Sequence, residues 1–284
     1  MYEYDKYFNR SGDGEVPAEL PGIASGARRP ILYMDEVSTP GTSFLFECSW
    51  LMSPFDEPAL MANDYDAMIF MLGADKEDTE NLLGEVEFTM DNDVHTITET
   101  CSIYIPAGCA HKMNVKRVDK PIMYCYCEFH PTATRKPAEA TAPEGTYAKH
   151  VVYRYEPSSG IIPEGPEGFL QLLSWMAGDK VEGAPYLELC RFMRVNPDGP
   201  PEHKHPKDEF IGFIGTDPEN PGELGGTITF RLGGEDIPTT KSTVVYVPGD
   251  VPHSPIIVPE LNAPDVIHFS GSVASEYDRI AVDE

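Results

Sequence analysis

The sequence predicts an all-β protein made of two similar barrels, and two observations support this. Runs of four to eight apolar or β-branched residues, such as AMIFML and EVEFTM, alternate with turns rich in Gly, Asp, Asn and Pro. The chain also repeats itself, because residues 61–111 align without a gap on residues 203–253. Short strands at this spacing are typical of a sandwich or barrel in each copy.

The repeat is supported by identities that stay at one offset over a long window. They fall at 12 of the 51 aligned positions. The identical pairs are Asp66/Asp208, Ile69/Ile211, Gly73/Gly215, Asp75/Asp217, Glu77/Glu219, Leu82/Leu224, Gly84/Gly226, Phe88/Phe230, Thr98/Thr240, Tyr104/Tyr246, Pro106/Pro248 and His111/His253. We therefore interpret the chain as two copies of one fold.

The repeat suggests a division of the chain into two domains. We assign residues 1–130 to the first copy and residues 150–284 to the second. Residues 131–149, rich in Pro, Ala and Thr and without large aliphatic side chains, are predicted to be the linker. Helical patterns are sparse, and the best is residues 168–177 (GFLQLLSWMA). The aromatic amino terminus is expected to pack on a neighbouring barrel or subunit.

The composition excludes several classes of function. The chain of 284 residues has 47 acidic and 21 basic side chains and a formal charge of −26, which disfavours binding to nucleic acid or to an anionic membrane surface. The amino terminus lacks the basic and apolar regions of a signal peptide, so we expect a cytoplasmic protein. Six cysteines without a C-x2-C pair predict neither a disulfide framework nor a structural zinc site.

The second copy contains a pattern of metal-ligating side chains. His203 and His205 are two residues apart, so on a strand both imidazoles project from the same face. Glu209 follows after a Pro-containing bend, and His253 comes just after a later strand. Three neutral nitrogen ligands and one carboxylate suit a first-row divalent ion.

This pattern, H-x-H-x3-E followed about 40 residues later by P-x-G-x2-H, resembles the motifs of the cupin superfamily. Because it covers nearly all of both copies, the chain looks like a bicupin, with two tandem jelly-roll (double-stranded β-helix) barrels. The resemblance implies that His203, His205, Glu209 and His253 bind one divalent transition metal per chain. Fe(II) or Mn(II) is favoured, and Zn(II) and Ni(II) are further options. The sequence departs from the motif at Asp250, where cupins usually have Gly.

The first copy has lost most of this ligand set. Met61, Asn63, Ala67 and His111 stand at the positions equivalent to the four ligands. One imidazole beside an amide and a thioether is a weak site for a borderline divalent ion. We therefore predict a degenerate metal site in the first barrel, kept for packing or for binding another ligand.

Basic side chains distinguish the second copy. At the constant offset, Arg191, Arg194, Lys207 and Arg231 replace neutral residues of the first copy. In so acidic a protein this suggests an anionic ligand, although local charge balance explains the pattern equally well. Arg191 and Arg194 have opposite strand parity, so at most one of them can face the cavity. His268, on the last predicted strand, is a further candidate acid or base, with a core histidine as the alternative.

The resemblance implies a metal-dependent enzyme acting on a small oxygenated, perhaps-anionic organic substrate. We expect a dioxygenase first. The alternatives are a non-redox isomerase, lyase or decarboxylase, and a non-catalytic bicupin that binds a small molecule. A homo-oligomer is expected on general grounds.

Overall fold

The computed structural model describes residues 2–157, 165–262 and 265–282. These residues form one short 3-10 helix, Tyr4–Tyr7, and 23 strands. The strands are β1 (Phe8–Arg10), β2 (Arg28–Met34), β3 (Leu45–Leu51), β4 (Phe55–Asp56), β5 (Met61–Ala62), β6 (Ala67–Gly73), β7 (Asn81–Met90), β8 (Asp93–Glu99), β9 (Cys101–Ile105), β10 (His111–Val118), β11 (Ile122–Glu128), β12 (Lys136–Pro137), β13 (Val151–Val152), β14 (Leu170–Met176), β15 (Tyr186–Phe192), β16 (His203–Lys204), β17 (Glu209–Gly215), β18 (Glu223–Leu232), β19 (Glu235–Lys241), β20 (Thr243–Val247), β21 (His253–Leu261), β22 (Val266–Ser272) and β23 (Ile280–Ala281).

The strand bounds confirm the predicted duplication. Strands β6, β7, β8 and β9 have the same lengths as β17, β18, β19 and β20, and both ends of each are displaced by 142 residues. The predicted all-β fold is likewise confirmed. The segment with the best helical pattern is instead strand β14, because its backbone pairs along the neighbouring strand β15. No helix among the described residues is long and apolar enough to cross a membrane.

Each copy folds into two sheets. In the first copy the strand orders are β13-β9-β6-β11-β3-β2 and β12-β5-β10-β7-β8, with β4 also paired to β10. In the second copy the orders are β1-β20-β17-β22-β15-β14 and β19-β18-β21-β16-β23. The central strands β9, β6, β11, β3 and β2 thus correspond one by one to β20, β17, β22, β15 and β14.

Edge strands are exchanged between the two halves of the chain. Strand β1, near the amino terminus, pairs with β20 of the second barrel, and Phe8 enters that barrel's core. Strand β13 pairs with β9 of the first barrel. Within residues 131–149, β12 pairs with β5, and Thr141 N–H donates to Asp91. The interpretation of residues 131–149 as a linker between two domains stays a prediction.

The two six-stranded sheets are buried on both faces. One face of each lines its own barrel, and the other packs against the opposite barrel, where Phe46 of β3 stacks on Phe269 of β22 at 5.1 Å with an interplanar angle of 1°. Along β17, Ile211 and Phe213 face the barrel interior while Phe210 faces the first barrel. Burial on both faces explains why these strands are almost continuously apolar in the sequence.

Identities between the copies mark matching hydrogen bonds. Asp66 accepts from the Tyr104 hydroxyl at 3.1 Å and from a backbone N–H in the loop after β9 at 2.8 Å. Asp208 accepts from Tyr246 at 3.0 Å and from the N–H of Gly249 at 2.8 Å. The bend before the fourth putative-ligand position is therefore held in the same way in both barrels.

Candidate metal centre

Four side chains of the second barrel converge at its mouth. His203 on β16 pairs directly with His253 at the start of β21, and Glu209 begins β17. Ligand-type nitrogens of His203, His205 and His253 all lie within 4.8 Å of one another. Glu209 Oε2 lies 3.1 Å from His253 Nε2 and 3.6 Å from His205 Nε2. All four residues are buried. Residues separated by up to 50 positions thus meet around one point.

Backbone carbonyls fix the orientation of the three imidazoles. His203 Nδ1 donates to the Pro201 carbonyl at 2.8 Å, and His253 Nδ1 donates to the Val251 carbonyl at 3.1 Å. His205 Nδ1 donates to the carbonyl of Asp278. With the proton on Nδ1, each ring keeps a lone pair on Nε2, as metal-binding histidines require.

The loop before His253 resolves the departure from the family motif. Asp250 has a φ of 64°, and its counterpart Gly108 in the first barrel has a φ of 80°. Asp is among the few residues other than Gly that adopt this left-handed conformation readily. The backbone therefore turns in the same direction in both copies, and His253 emerges as His111 does.

The electrostatics of the site favour an anionic Glu209 beside neutral imidazoles. Burial opposes ionisation of Glu209, but His253, His205 and His203 outweigh it and hold the pKa of the carboxyl below its usual value. Burial, together with repulsion from His253, lowers the pKa of His203 to about 4. Burial opposes protonation of His253, yet the Glu209 carboxylate raises its pKa.

The unsatisfied atoms of the site fit a divalent cation. His205 Nε2, His253 Nε2 and Glu209 Oε2 are buried without a hydrogen-bond partner. The short approach of His253 Nε2 to Glu209 Oε2 joins two acceptors, because the imidazole proton lies on Nδ1. Buried acceptors without donors are costly, and a cation bound among them would satisfy all three.

A cavity of about 230 Å³ extends from the ligands into the second barrel. Its walls are mainly apolar and aromatic, with contributions from Phe169, Trp175 and Phe192. Polar groups occur at both ends. Arg279 lies near the ligands, where its Nη2 donates to the Pro201 carbonyl at 3.3 Å, the same oxygen that fixes His203.

The structure separates the three weaker candidates. His268 lines the cavity, stacked on Phe192 at 4.6 Å and on Phe213 at 5.4 Å, and burial lowers its pKa to about 4. A histidine with that pKa is neutral at pH 7 and is therefore a poor general acid there. Arg191 and Arg194 lie outside the cavity.

The positions of the two arginines have a clear structural reason. Arg191 is fully buried on the opposite face of β15, where it pairs with Asp265 and donates to the Gly73 carbonyl of the first barrel at 2.5 Å. Arg194 is exposed and its guanidinium lies against Gly168. Arg231, another residue of the predicted basic cluster, forms an exposed pair with Asp236.

Sequence reasoning missed Glu188, which lines the cavity. Burial raises the pKa of Glu188 to about 7, although the Tyr155 hydroxyl donates to it at 2.7 Å. A single carboxylate in the apolar strand YLELCRF was the available signal. The gapless alignment obscured it, because β3 and β15 are displaced by 141 residues and Glu188 corresponds to Glu47.

The first barrel has no equivalent ligand cluster among its described residues. His111 repeats the orientation of His253, with Nδ1 donating to the Cys109 carbonyl at 3.0 Å, but its cross-strand partner is Met61. Asn63 is buried with neither amide atom hydrogen bonded. Of the residues that the structure describes, those brought together as groups of three or more metal ligands all belong to the second barrel.

The fold is shared with oxalate decarboxylases of known structure. A Bacillus subtilis oxalate decarboxylase variant superposes with a TM-score of 0.60 and 11% identity, covering 88% of this chain and 74% of the other. The Lactobacillus farciminis oxalate decarboxylase in complex with formate gives 0.61 and 10%, covering 95% and 90%. A structure from a study of the Mn(II) centres of the B. subtilis enzyme gives 0.57 and 10%, covering 88% and 74%.

No protein-family model and no curated protein sequence matches the chain. At such low identity the superpositions establish the fold and leave the activity to be argued from the site. The chain has the bicupin fold, with two tandem jelly-roll barrels.

Proposed function

We propose that the second barrel binds one divalent transition metal through His203, His205, Glu209 and His253. The bound metal would serve a non-redox reaction, of the decarboxylase or lyase class, on a small carboxylate. The observation that carries the proposal is the set of buried, unpartnered Nε2 and carboxylate atoms that face one another at the end of a cavity.

The charge around the ligands supports an anionic substrate. Four protein ligands leave one or two positions open on a five- or six-coordinate ion, and these positions face the cavity. Arg279 lies beside the His203 side of the site, where its guanidinium can pair with a carboxylate. A small anion can therefore contact both the metal and Arg279.

The superposed structures support the same class of reaction over a dioxygenase. They are described as oxalate decarboxylases, one in complex with formate and one studied for its Mn(II) centres. Mn(II) is also among the ions that the three imidazoles and one carboxylate suit. The dioxygenase expected from the family resemblance is the second candidate.

The residues of this chain would contribute binding, orientation and exclusion of water. When bound, a divalent metal polarises a substrate oxygen and stabilises negative charge that develops on it. Arg279 would orient the carboxylate at the mouth. The aromatic walls formed by Phe169 and Phe192, whose rings stack at 4.6 Å, keep the cavity apolar and strengthen these charge interactions.

The test is metal analysis followed by turnover of Mn(II)-loaded protein. We expect one Mn(II) per chain, lost in His203→Ala and Glu209→Ala and retained in the matched first-barrel variant His111→Ala. Oxalate and other small carboxylates are then supplied with and without O2, and released CO2 is measured. Release of CO2 without net O2 consumption supports the proposal. Stoichiometric O2 uptake would identify a dioxygenase, and binding without turnover would identify a binding protein.

A further inference from the structure

A second group of ligand-type side chains lies deeper in the same barrel. A carboxylate oxygen of Glu188, the sulfur of Cys190 and a ring nitrogen of His268 all lie within 4.8 Å of one another, and all three residues are buried. Glu188 and His268 also line the cavity. The group shares no residue with the four ligands at the mouth.

The register of three neighbouring strands explains how these residues meet. Cys190 of β15 lies directly opposite His268 of β22, and Glu188 is two residues from Cys190 on the same face. The mouth site is built in the same way, from His203 and His205, two residues apart, and His253 opposite His203. A pair at this spacing with one cross-strand partner thus occurs twice in the barrel.

The side chain of His268 is prepared for a ligand in the same way as the histidines of the mouth. Its Nδ1 donates to the Gly212 carbonyl at 3.1 Å, so Nε2 is the nitrogen that keeps a lone pair. Its ring is held by stacking on Phe192 and Phe213. A neutral imidazole with one fixed nitrogen and one free nitrogen is the form that binds metals.

The first barrel shows which charge this position takes. Its counterparts of Glu188 and His268 are Glu47 and Tyr124, since β3 and β11 pair in the same register as β15 and β22. The guanidinium of Arg28 lies 3.3 Å from Glu47 and 4.6 Å over the Tyr124 ring. The first barrel thus has a cation between these two side chains.

The second barrel has the carboxyl group but lacks the covalently attached cation. The residue that corresponds to Arg28 on β14 is Leu170, which also lines the cavity. Around Glu188 the described polar contact is the hydroxyl of Tyr155. In place of the guanidinium and Ser49 of the first barrel, the second barrel supplies an imidazole and a thiol, which bind metals.

We propose that Glu188, Cys190 and His268 form a second metal site for a borderline or soft divalent ion such as Zn(II) or Co(II). A thiolate and an imidazole select these ions over Mn(II), so the two sites differ in preference. On binding, the Cys190 thiol releases one proton to solvent and its sulfur bonds the metal. The charges of Glu188 and the thiolate then balance the two charges of the ion.

Three protein ligands leave a coordination position open towards the cavity. Glu209 and Phe213, the β17 residues level with the two sites, are four residues apart, which spans about 13 Å of strand. A ligand in the cavity would therefore lie between two metal positions. This site does not depend on the reaction proposed for the mouth.

The test is Co(II) binding to the metal-free full chain, followed by absorption spectroscopy. A Co(II)–thiolate bond gives a charge-transfer band in the near ultraviolet, which the thiol-free mouth site cannot give. We expect the band in the wild type and in His203→Ala. We expect it to be lost in Cys190→Ser and to be retained in the control Cys101→Ser, which alters a buried thiol of the first barrel.

A second measurement avoids dependence on how the variants fold. X-ray absorption of wild-type protein loaded with one and then two equivalents of Zn(II) should show one sulfur neighbour at about 2.3 Å. A spectrum with nitrogen and oxygen neighbours alone would overturn the proposal, as would a cobalt band that persists in Cys190→Ser. Loss of Mn(II) binding with retention of the thiolate band would refute the mouth site and leave the second site standing.

Discussion

Replacement of Glu188 by Gln should stabilise the metal-free protein at alkaline pH. Glu188 is buried and its pKa is about 7 in the folded chain, against 4.5 for an ordinary glutamate. The folded state therefore holds a proton that the unfolded state releases between these two values. Above pH 7 the carboxylate is ionised in both states, and burial makes that ionisation unfavourable in the fold.

The size of the effect follows from the difference of about 2.5 between the two pKa values, which corresponds to about 3 kcal/mol. Below about pH 4.5 the carboxyl is protonated in both states and costs nothing. The stability gained by Glu188→Gln should thus grow by about 2–3 kcal/mol between about pH 5 and about pH 9. The neutral amide can still accept the hydrogen bond from Tyr155.

The assay is urea unfolding in a chelating buffer at both pH values. The counterpart variant Glu47→Gln serves as the control, because it leaves the buried Arg28 guanidinium without its carboxylate at 3.3 Å. It should destabilise the protein by about 3–5 kcal/mol at both pH values. An equal effect of Glu188→Gln at the two pH values would refute the reasoning, since the carboxyl would then not titrate differently in the fold.

Two further predictions concern the arginines. Arg191→Met should cost about 3–5 kcal/mol of unfolding free energy, because Asp265 stays buried without its cation, while Mn(II) content stays unchanged. Retained stability in urea unfolding would contradict the assigned pairing. Arg279→Ala should weaken oxalate binding to Mn(II)-loaded protein about tenfold, measured by calorimetry, with Mn(II) affinity unaltered. An unchanged oxalate affinity would show that this guanidinium does not bind the anion.

The sequence was sufficient for the repeat, for the strand-rich fold and for the four residues that meet at the mouth. These features depend on short-range spacing. His203 and His205 share a strand face because side chains alternate, and an offset shared by 51 positions requires two copies of one topology. Glu209 and His253 were identified with them because the family resemblance supplied the distance between the two motifs.

Other features were decided by tertiary structure. Parity alone could not tell which face of β15 borders the cavity, so Arg191 was an equal candidate although it lies between the barrels. Glu188 was hidden because the offset between the copies is 141 on β3 and β15 and 142 in the aligned window. A displacement of one residue exchanges the two faces of a strand, so the gapless alignment compared inward with outward positions.

The amino-acid sequence by itself thus determined how many barrels form and which barrel kept the imidazoles. The tertiary structure decided which cations accompany the buried carboxylates. Arg28 and Glu47 are 19 residues apart, and Glu188 and His268 are 80 apart, and only strand pairing brings each set together. The environment of a buried charge is set by contacts between distant segments, and local spacing does not encode those contacts.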